Sequence, residues 1–447
     1  MSRIYLTVIL VMLAGSSFAA DSPNIVLILT DDQGWSQRSG AMHPDVLTSK
    51  SNYLHTPNMD RIATAGMRFT NGYSPAPLCT PTRRSILNGT SAARSGTEFD
   101  SVWVPARHMT IPKAIKEANP AYQCAHFGKW GEKMISSPEE CGYDTSDGHT
   151  GNGTGGVADK TKPFHIVDDP KRTDSVTKRS IDFMRRQVKA DKPFYLQVSY
   201  YAVHLRIELL KATLEKYQQK GAPDRAYSHG WAGMLEELDR GIGELLDAMD
   251  ELDISRNTYM VFMTDNGGRG TVPGGDEKSL PTNAPLSGAK HSLQEGGIRV
   301  PFLVRGPSIE AGSDCHVPVV GYDLLPTFYE LTGGDGSLSD ELDGGSFASL
   351  FTSPQSDNVK RPIEGMIFSR PRRRQAVIRQ GDFKLLCSVN NGKLGSGQLF
   401  NVQKDISEKK DLASSMPEKA KQLQDVLATY LAKFKDPSAT NRPRKKR

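Results

Sequence analysis

The chain has 447 residues, 37% of them hydrophobic and 24% charged, with a formal net charge of +5. That length supports a large core and more than one structural unit, and the composition is that of an ordinary globular protein. So weak a positive balance does not imply nucleic acid, and no nucleic-acid-binding motif is present to suggest it.

The N-terminus has the grammar of an export leader. Arg3 gives a positive start, Ile4 to Ala14 an apolar run, and Ser17-Phe18-Ala19 a small-residue cleavage site. The spacing predicts a signal peptide over residues 1–19 and an exported protein, periplasmic or secreted. The apolar run is too short for a comfortable membrane span, so no stable membrane insertion is expected.

Asn24 to Thr30, NIVLILT, is a continuous apolar run that stops at Asp31-Asp32. It predicts a parallel strand buried on both faces. Ligands in α/β sheets sit beyond the carboxyl ends of such strands, and two adjacent carboxylates there are costly unless a cation binds them. Thr258 to Thr264, TYMVFMT, repeats the pattern and stops at Asp265-Asn266. Four oxygen-bearing side chains at two strand ends suit a hard cation, Ca²⁺ or alternatively Mg²⁺.

Between these strands lie the remaining chemical signals. Thr56-Pro57-Asn58 opens a short helix. PLCTPTRRSILNG, residues 77–89, places Cys79 at a helix start, with Pro81 in the first turn, Ile86 and Leu87 facing a core, and Gly89 as the stop. The positive helix end favours an anion there, and Arg83, one turn on, faces the same way as Cys79. AYQCAHFGK, residues 121–129, predicts a strand ending on Gly128-Lys129, and residues 148–156 a Gly-rich loop. PFYLQVSYYAVH, residues 193–204, predicts a strand ending on His204, and Met234 to Leu252 an amphipathic helix over the sheet.

Further on, LSGAKHSLQEGGIR (286–299) leads into the strand VPFLVRG, and a helix follows over 322–331. A polar linker spans about 352–361. Beyond it the pattern changes to short alternating strands, GMIFSR, QAVIRQGDFKLLC and GQLFNVQKD, with a hairpin at Gly381-Asp382 and a helix over 417–434. The organisation is therefore leader 1–19, main domain 20–351, small C-terminal subdomain 362–436 and basic tail 437–447. Arg370, Arg372, Arg373 and Arg374 form a basic cluster that reads either as a docking surface for a polyanion or as a solvated loop. Of the five cysteines, none forms C-x-x-C, which argues against structural zinc, and Cys124 and Cys141 could pair.

Taken together these stretches resemble the formylglycine-dependent, arylsulfatase-like sulfatases of the alkaline phosphatase superfamily. Cys79-x-Pro81-x-Arg83 matches the sulfatase signature, and TPNMDRIATAG the segment TPNLDRLA…G. Lys129-Trp130 matches the start of a Gly-Lys-Trp-His motif, and Lys290 to Arg299 resembles GGK…EGG-x-R. LDGGSF resembles DG-x-S, and Arg379 to Lys384 resembles R-x-GD-x-K. The motifs keep family order from Asn24 to about Phe434.

The resemblance implies an α/β fold, a large mixed β-sheet sandwiched by helices, with a smaller C-terminal antiparallel sheet and a terminal helix. It implies sulfate-ester hydrolysis on a sulfated saccharide or aryl sulfate, and a maturation enzyme that oxidises Cys79 to formylglycine. Asp31, Asp32, Asp265, Asn266 and the modified Cys79 would hold Ca²⁺. Lys129 and Lys290 would contact the sulfate, Arg83 would hold the nucleophile, and His204 would protonate the leaving group. The chain departs from the motif at Gly131, where the family has His; Glu132 or a histidine elsewhere, such as His291, is left as the base. Two other readings stay open: a phosphodiester or phosphonate hydrolase of the same superfamily, and a non-catalytic binder of sulfated glycans.

Overall fold

A computed structural model describes residues 22–152, 163–335, 338–356 and 358–434. The expected leader, the end of the 148–156 loop and the basic tail lie outside the described residues.

The main sheet has eight strands. From one edge to the other they are Ser313–Cys315, Met67–Phe69, Phe302–Arg305, Thr258–Thr264, Asn24–Thr30, Phe194–Ser199, Gln123–Gly128 and Thr145–Ser146. The central neighbours Thr258–Thr264, Asn24–Thr30, Phe194–Ser199 and Gln123–Gly128 are mutually parallel, whereas Phe302–Arg305 runs antiparallel to both its neighbours. The sheet is therefore mixed.

Alternate residues of NIVLILT feed opposite cores, which is why the run is continuous. Val26 and Ile28 pack with the helices Thr173–Lys189 and His229–Glu251. Ile25, Leu27 and Leu29 pack with Cys79–Asn88, Ile111–Ala118 and Leu324–Leu331. Each of these strand side chains is fully buried, contributing about 1.5–3 kcal/mol before the cost of ordering the chain.

A four-stranded antiparallel sheet follows, formed by Met366–Arg370, Gln375–Gln380, Phe383–Asn390 and Lys393–Asn401. The helix Pro417–Leu431 covers it with Leu423, Leu427 and Tyr430. Gly381-Asp382 makes the expected two-residue hairpin loop. A second hairpin turns at Asn391-Gly392, both with positive φ (49° and 75°), so the last strand begins at Lys393, earlier than the run GQLFNVQKD suggests. Asn-Gly favours the primed turn that matches strand twist.

One expectation is corrected. The strand expected to reach His204 stops at Ser199; beyond it the chain bonds to the segment after Asn24–Thr30, through Asp31 N–H to Ala202 O (2.9 Å) and Val203 N–H to Asp31 O (2.7 Å). At the end of the 352–361 stretch, Arg361 forks onto the buried Asp323 carboxylate (2.8 and 2.6 Å). The pairing of Cys124 with Cys141, which the sequence leaves open, is not made; all five cysteines are buried free thiols. Among the described residues no helix is long and apolar enough to cross a membrane.

Candidate functional site

The four parallel central strands end on one edge of the sheet, and each end delivers a sequence-expected residue. Register decides who meets whom. Thr30 lies opposite Thr264, which sets Asp31-Asp32 beside Asp265-Asn266. Leu29 and Gly128 both lie opposite Ser199, which brings Lys129 and the segment carrying His204 to the same edge. This is where open α/β sheets place ligands.

The helix Cys79–Asn88 points its first turn at that edge. Leu78 is the N-cap, Cys79 the first helical residue, and Gly89 closes the helix in the left-handed conformation (φ 63°). Arg83 forks onto Asp265 Oδ2 through Nε (3.1 Å) and Nη2 (2.8 Å), and donates from Nη1 to the Lys129 carbonyl (2.6 Å). Its Nη2 lies 3.8 Å from Asp31. Lys129 Nζ pairs with Asp31 Oδ2, and Lys290 Nζ with Asp32 Oδ1 (2.5 Å). Asn266 Nδ2 donates to Asp32 Oδ1 (2.9 Å), and Asp32 N–H donates to Asp265 Oδ1 (3.2 Å). Arg83 therefore grips a site carboxylate, and the resemblance had it holding the nucleophile.

Burial governs the electrostatics. It would raise the Asp31 carboxyl, but Lys129, His204, Arg83 and Lys290 together hold it well below the usual carboxylate range. Burial likewise opposes ionisation of Asp32, and Lys290 brings it below its ordinary value. Burial and the Asp31 charge push Asp265 up to about 7, with Arg83 offsetting only part. Burial also pushes the Cys79 thiol up, opposed by Lys129 and Lys290, so the unmodified side chain is a poor nucleophile near neutral pH.

Three buried oxygens in this cluster have no hydrogen-bond partner: Asp31 Oδ1, Asp32 Oδ2 and Asn266 Oδ1. Buried oxygens are almost always satisfied, so three orphans from the two strand ends mark a missing donor of another kind. An all-oxygen set of this type fits a hard divalent cation. Asp31, Asp32 and His204 can each offer an atom to one ion, all within 4.8 Å of one another. His204 Nδ1 donates to the Leu205 carbonyl (2.6 Å), which leaves Nε2 as the ring atom available to other groups. Burial lowers its pKa, against Asp31 and Asp32.

Gly131 has φ 146°, and a Cβ there would lie 2.9 Å from Met134 Cγ and 3.7 Å from Arg83 Cδ. The absence of a side chain at this position is built into the backbone. Glu132 is tied by Asn152 Nδ2. His291 sits nearer the helix start, its N–H bonded to Pro77 O (3.0 Å). Burial, with Lys290 and Arg370, lowers its ring to about 4. The basic cluster divides: Arg370 is buried on Glu98 (2.7 Å), Arg372 pairs with Asp100, and Arg373 and Arg374 are exposed.

Sequence reading missed Lys171. It is buried, lowered to about 8 by burial against the pull of Glu208 and Asp31, and so lies within electrostatic reach of the site. It follows no strand end and belongs to no quoted motif. Glu408, discussed below, was missed for the same reason.

Known proteins supply the comparison. A family model described as Sulfatase matches residues 23–334. The N-acetylgalactosamine-6-sulfatase of Canis lupus familiaris is 27% identical over 355 residues, covering 71% of this chain and 64% of that protein. An ulvan-active sulfatase of Formosa agariphila is 25% identical over 372 residues, covering 75% and 66%. The chain thus spans about two thirds of the length of these curated relatives. The crystal structure of Ps i-CgsB superposes with a TM-score of 0.75 at 27% identity, covering 93% of this chain and 94% of that one; that protein is also known in complex with k-i-k-neocarrahexaose.

Proposed function

The chain belongs to the sulfatase family, and from that premise we propose that it hydrolyses sulfate esters of a sulfated carbohydrate, with Cys79 matured to formylglycine and a divalent cation bound at the strand ends. The observation that carries the reading is the set of orphaned oxygens on Asp31, Asp32 and Asn266 beside Cys79 at its helix start. The named activities of the curated relatives, on N-acetylgalactosamine sulfate and on ulvan, support a carbohydrate substrate.

Asp31, Asp32, Asp265 and Asn266 would hold the cation, which supplies Lewis-acid polarisation of a sulfate oxygen and charge neutralisation. Matured Cys79 would supply a hydrated aldehyde, one hydroxyl of which attacks sulfur while its proton passes to a site carboxylate, for which Asp265, raised to about 7, is suited. Lys129 and Lys290 offset the charge that grows on the sulfate oxygens, in a setting dry enough to make that worth several kcal/mol. Arg83 keeps Asp265 in place. His204, whose Nδ1–H is held by the Leu205 carbonyl, acts as the imidazolium: Asp31 and Asp32 favour a second proton at Nε2 against the burial that opposes it, and that proton passes to the departing alcohol oxygen as the ester S–O bond breaks. Release of sulfate then requires removal of a proton from the remaining hydroxyl. His291, neutral and anchored two residues before Cys79, is the base proposed in place of the residue absent at 131. Exposed Arg373 and Arg374 offer a polyanionic chain an approach surface. The N-terminal leader, if cleaved, puts this chemistry outside the cytoplasm.

The test begins with protein produced together with a maturation enzyme. The tryptic peptide carrying Cys79 is weighed, and a loss of about 18 Da, the change a thiol undergoes on oxidation to an aldehyde, is expected. Sulfate release from sulfated oligosaccharides should accompany it. An unmodified thiol in folded, Ca²⁺-bound protein would overturn the formylglycine mechanism. A higher rate on phosphate diesters than on sulfate esters would reassign the reaction.

A further inference from the structure

Lys290 stands on the stretch between Asn266 and Arg299, and among the bonds that stretch makes to itself three connect Lys290 to the strand end. Gly267 N–H donates to Gly297 O (2.9 Å), Lys290 N–H to Gly268 O (2.9 Å) and Gly296 N–H to Ser287 O (2.7 Å). The turn at Glu295–Ile298 is therefore tied on one side to the residue after Asn266 and on the other to the loop bearing Lys290.

The turn is held from outside by residues of the C-terminal sheet and the segment after it. Lys384 Nζ pairs with Glu295 Oε1 (2.9 Å) and Glu408 Oε1 (2.8 Å), and Glu295 N–H donates to Glu408 Oε2 (2.7 Å). Tyr73 OH donates to Glu295 Oε2 (2.6 Å). Lys384 and Glu295 are fully buried. Lesser ties run parallel: Ser287 Oγ donates to Ser407 O (2.5 Å), Ser407 Oγ to Pro285 O (2.7 Å), and Arg370 Nη1 to the His291 carbonyl.

A buried ion triad of this kind adds little stability over an apolar replacement, because desolvation consumes most of the Coulombic gain. What it does supply is a fixed geometry, and the thing fixed is the backbone that presents Lys290. We propose that Lys384 and Glu408 are positioning residues for Lys290: they lock the Glu295 turn so that Lys290 reaches the anion seat at the strand ends. They touch no reacting atom. The proposal rests on the sulfate-binding reading of the site.

A double-mutant cycle tests it. Wild type, K384M, K290M and K384M/K290M are compared by calorimetric titration with inorganic sulfate in excess Ca²⁺, which does not depend on Cys79 maturation, and by kcat and KM on an aryl sulfate with matured protein. K384M is expected to lose about 10-fold in sulfate affinity and in kcat/KM, and the double variant to be no worse than K290M, since coupled residues fail to add. E408Q, which keeps an acceptor for Glu295 N–H, should show a smaller loss of the same kind, and it carries the test if K384M does not fold. Losses that add in full, or a K384M or E408Q protein with a lower melting temperature but unchanged sulfate affinity and kcat/KM, would overturn the proposal. Wild type that binds no sulfate would instead overturn the reading of the site, and the positioning role with it.

Discussion

Two ionic clusters lie inside this molecule, one at the strand ends around Asp31, Asp32 and Asp265, the other around Glu295, Lys384 and Glu408. In the first, three carboxylates face Arg83, Lys129 and Lys290. In the second, two carboxylates face Lys384, Arg299 and Arg379, with Tyr73 between them. Both are buried and close to balanced in formal charge, so charge does not tell them apart. Satisfaction does. Asp31, Asp32 and Asn266 each keep an oxygen with no donor, whereas the Glu295 carboxylate is bonded at both oxygens and Arg379 finds Tyr73 and Asn71. In the second cluster the one oxygen without a hydrogen bond, Glu408 Oε1, faces the Lys384 ammonium at 2.8 Å, so its charge is met within the protein and the cluster holds the backbone; the three unmet oxygens of the first suit the cation proposed there.

The largest effect expected from this contrast is on turnover. Cys79→Ala should lower kcat by about 10⁴-fold or more in a sulfate-release assay, while shifting folding stability by only about 1 kcal/mol in a denaturant titration. Glu295→Gln should invert the pattern: breaking a buried pair by removing one partner costs about 3–5 kcal/mol, seen as a drop in melting temperature, with activity lost as a consequence. A Cys79→Ala protein that unfolds, or a Glu295→Gln protein of unchanged stability, would break the comparison.

Acid sharpens it further. Burial opposes ionisation of Glu295, but Lys384 and Arg299 depress its folded pKa from 4.5 to about 2. A depressed carboxylate contributes stability that is present above its unfolded value and lost as pH falls through the folded one. The melting temperature should therefore fall between pH 4.5 and about 2, and Glu295→Gln should flatten that dependence. Metal removal addresses the other cluster: Ca²⁺ at a hundredfold excess over its dissociation constant should stabilise chelated protein by about 2.7 kcal/mol, and Asn266→Ala should weaken that response. The smallest effect belongs to the surface. Arg373→Ala with Arg374→Ala should raise KM for a polyanionic substrate by less than about 10-fold, with the difference vanishing at high salt.

Most of the fold was legible in local pattern. NIVLILT and TYMVFMT read as strands because both faces are buried, and their carboxylate endings marked the site. The helix at Cys79 was legible from Pro81 and Gly89, and the hairpin at Gly381-Asp382 from its turn residues. The strand ending before His204 was overextended because the apolar run continues past Ser199, where ladder pairing gives way to bonds around Asp31. Asn391-Gly392 is a strong hairpin signal in the sequence, and it sets where the last strand begins.

By itself, then, the sequence determined the elements and the chemical character of their ends, since strand and helix formation depend on periodicity and turn residues within a few positions. The tertiary structure alone decided the partners. That Arg83 grips Asp265, 182 positions away, follows from the register of Thr30 on Thr264. That Glu408 meets Glu295, 113 positions away, follows from how the C-terminal sheet packs on the Lys290 loop. A pairing between buried charges has no local signature, because what selects it is the shared exclusion of water once the layers close.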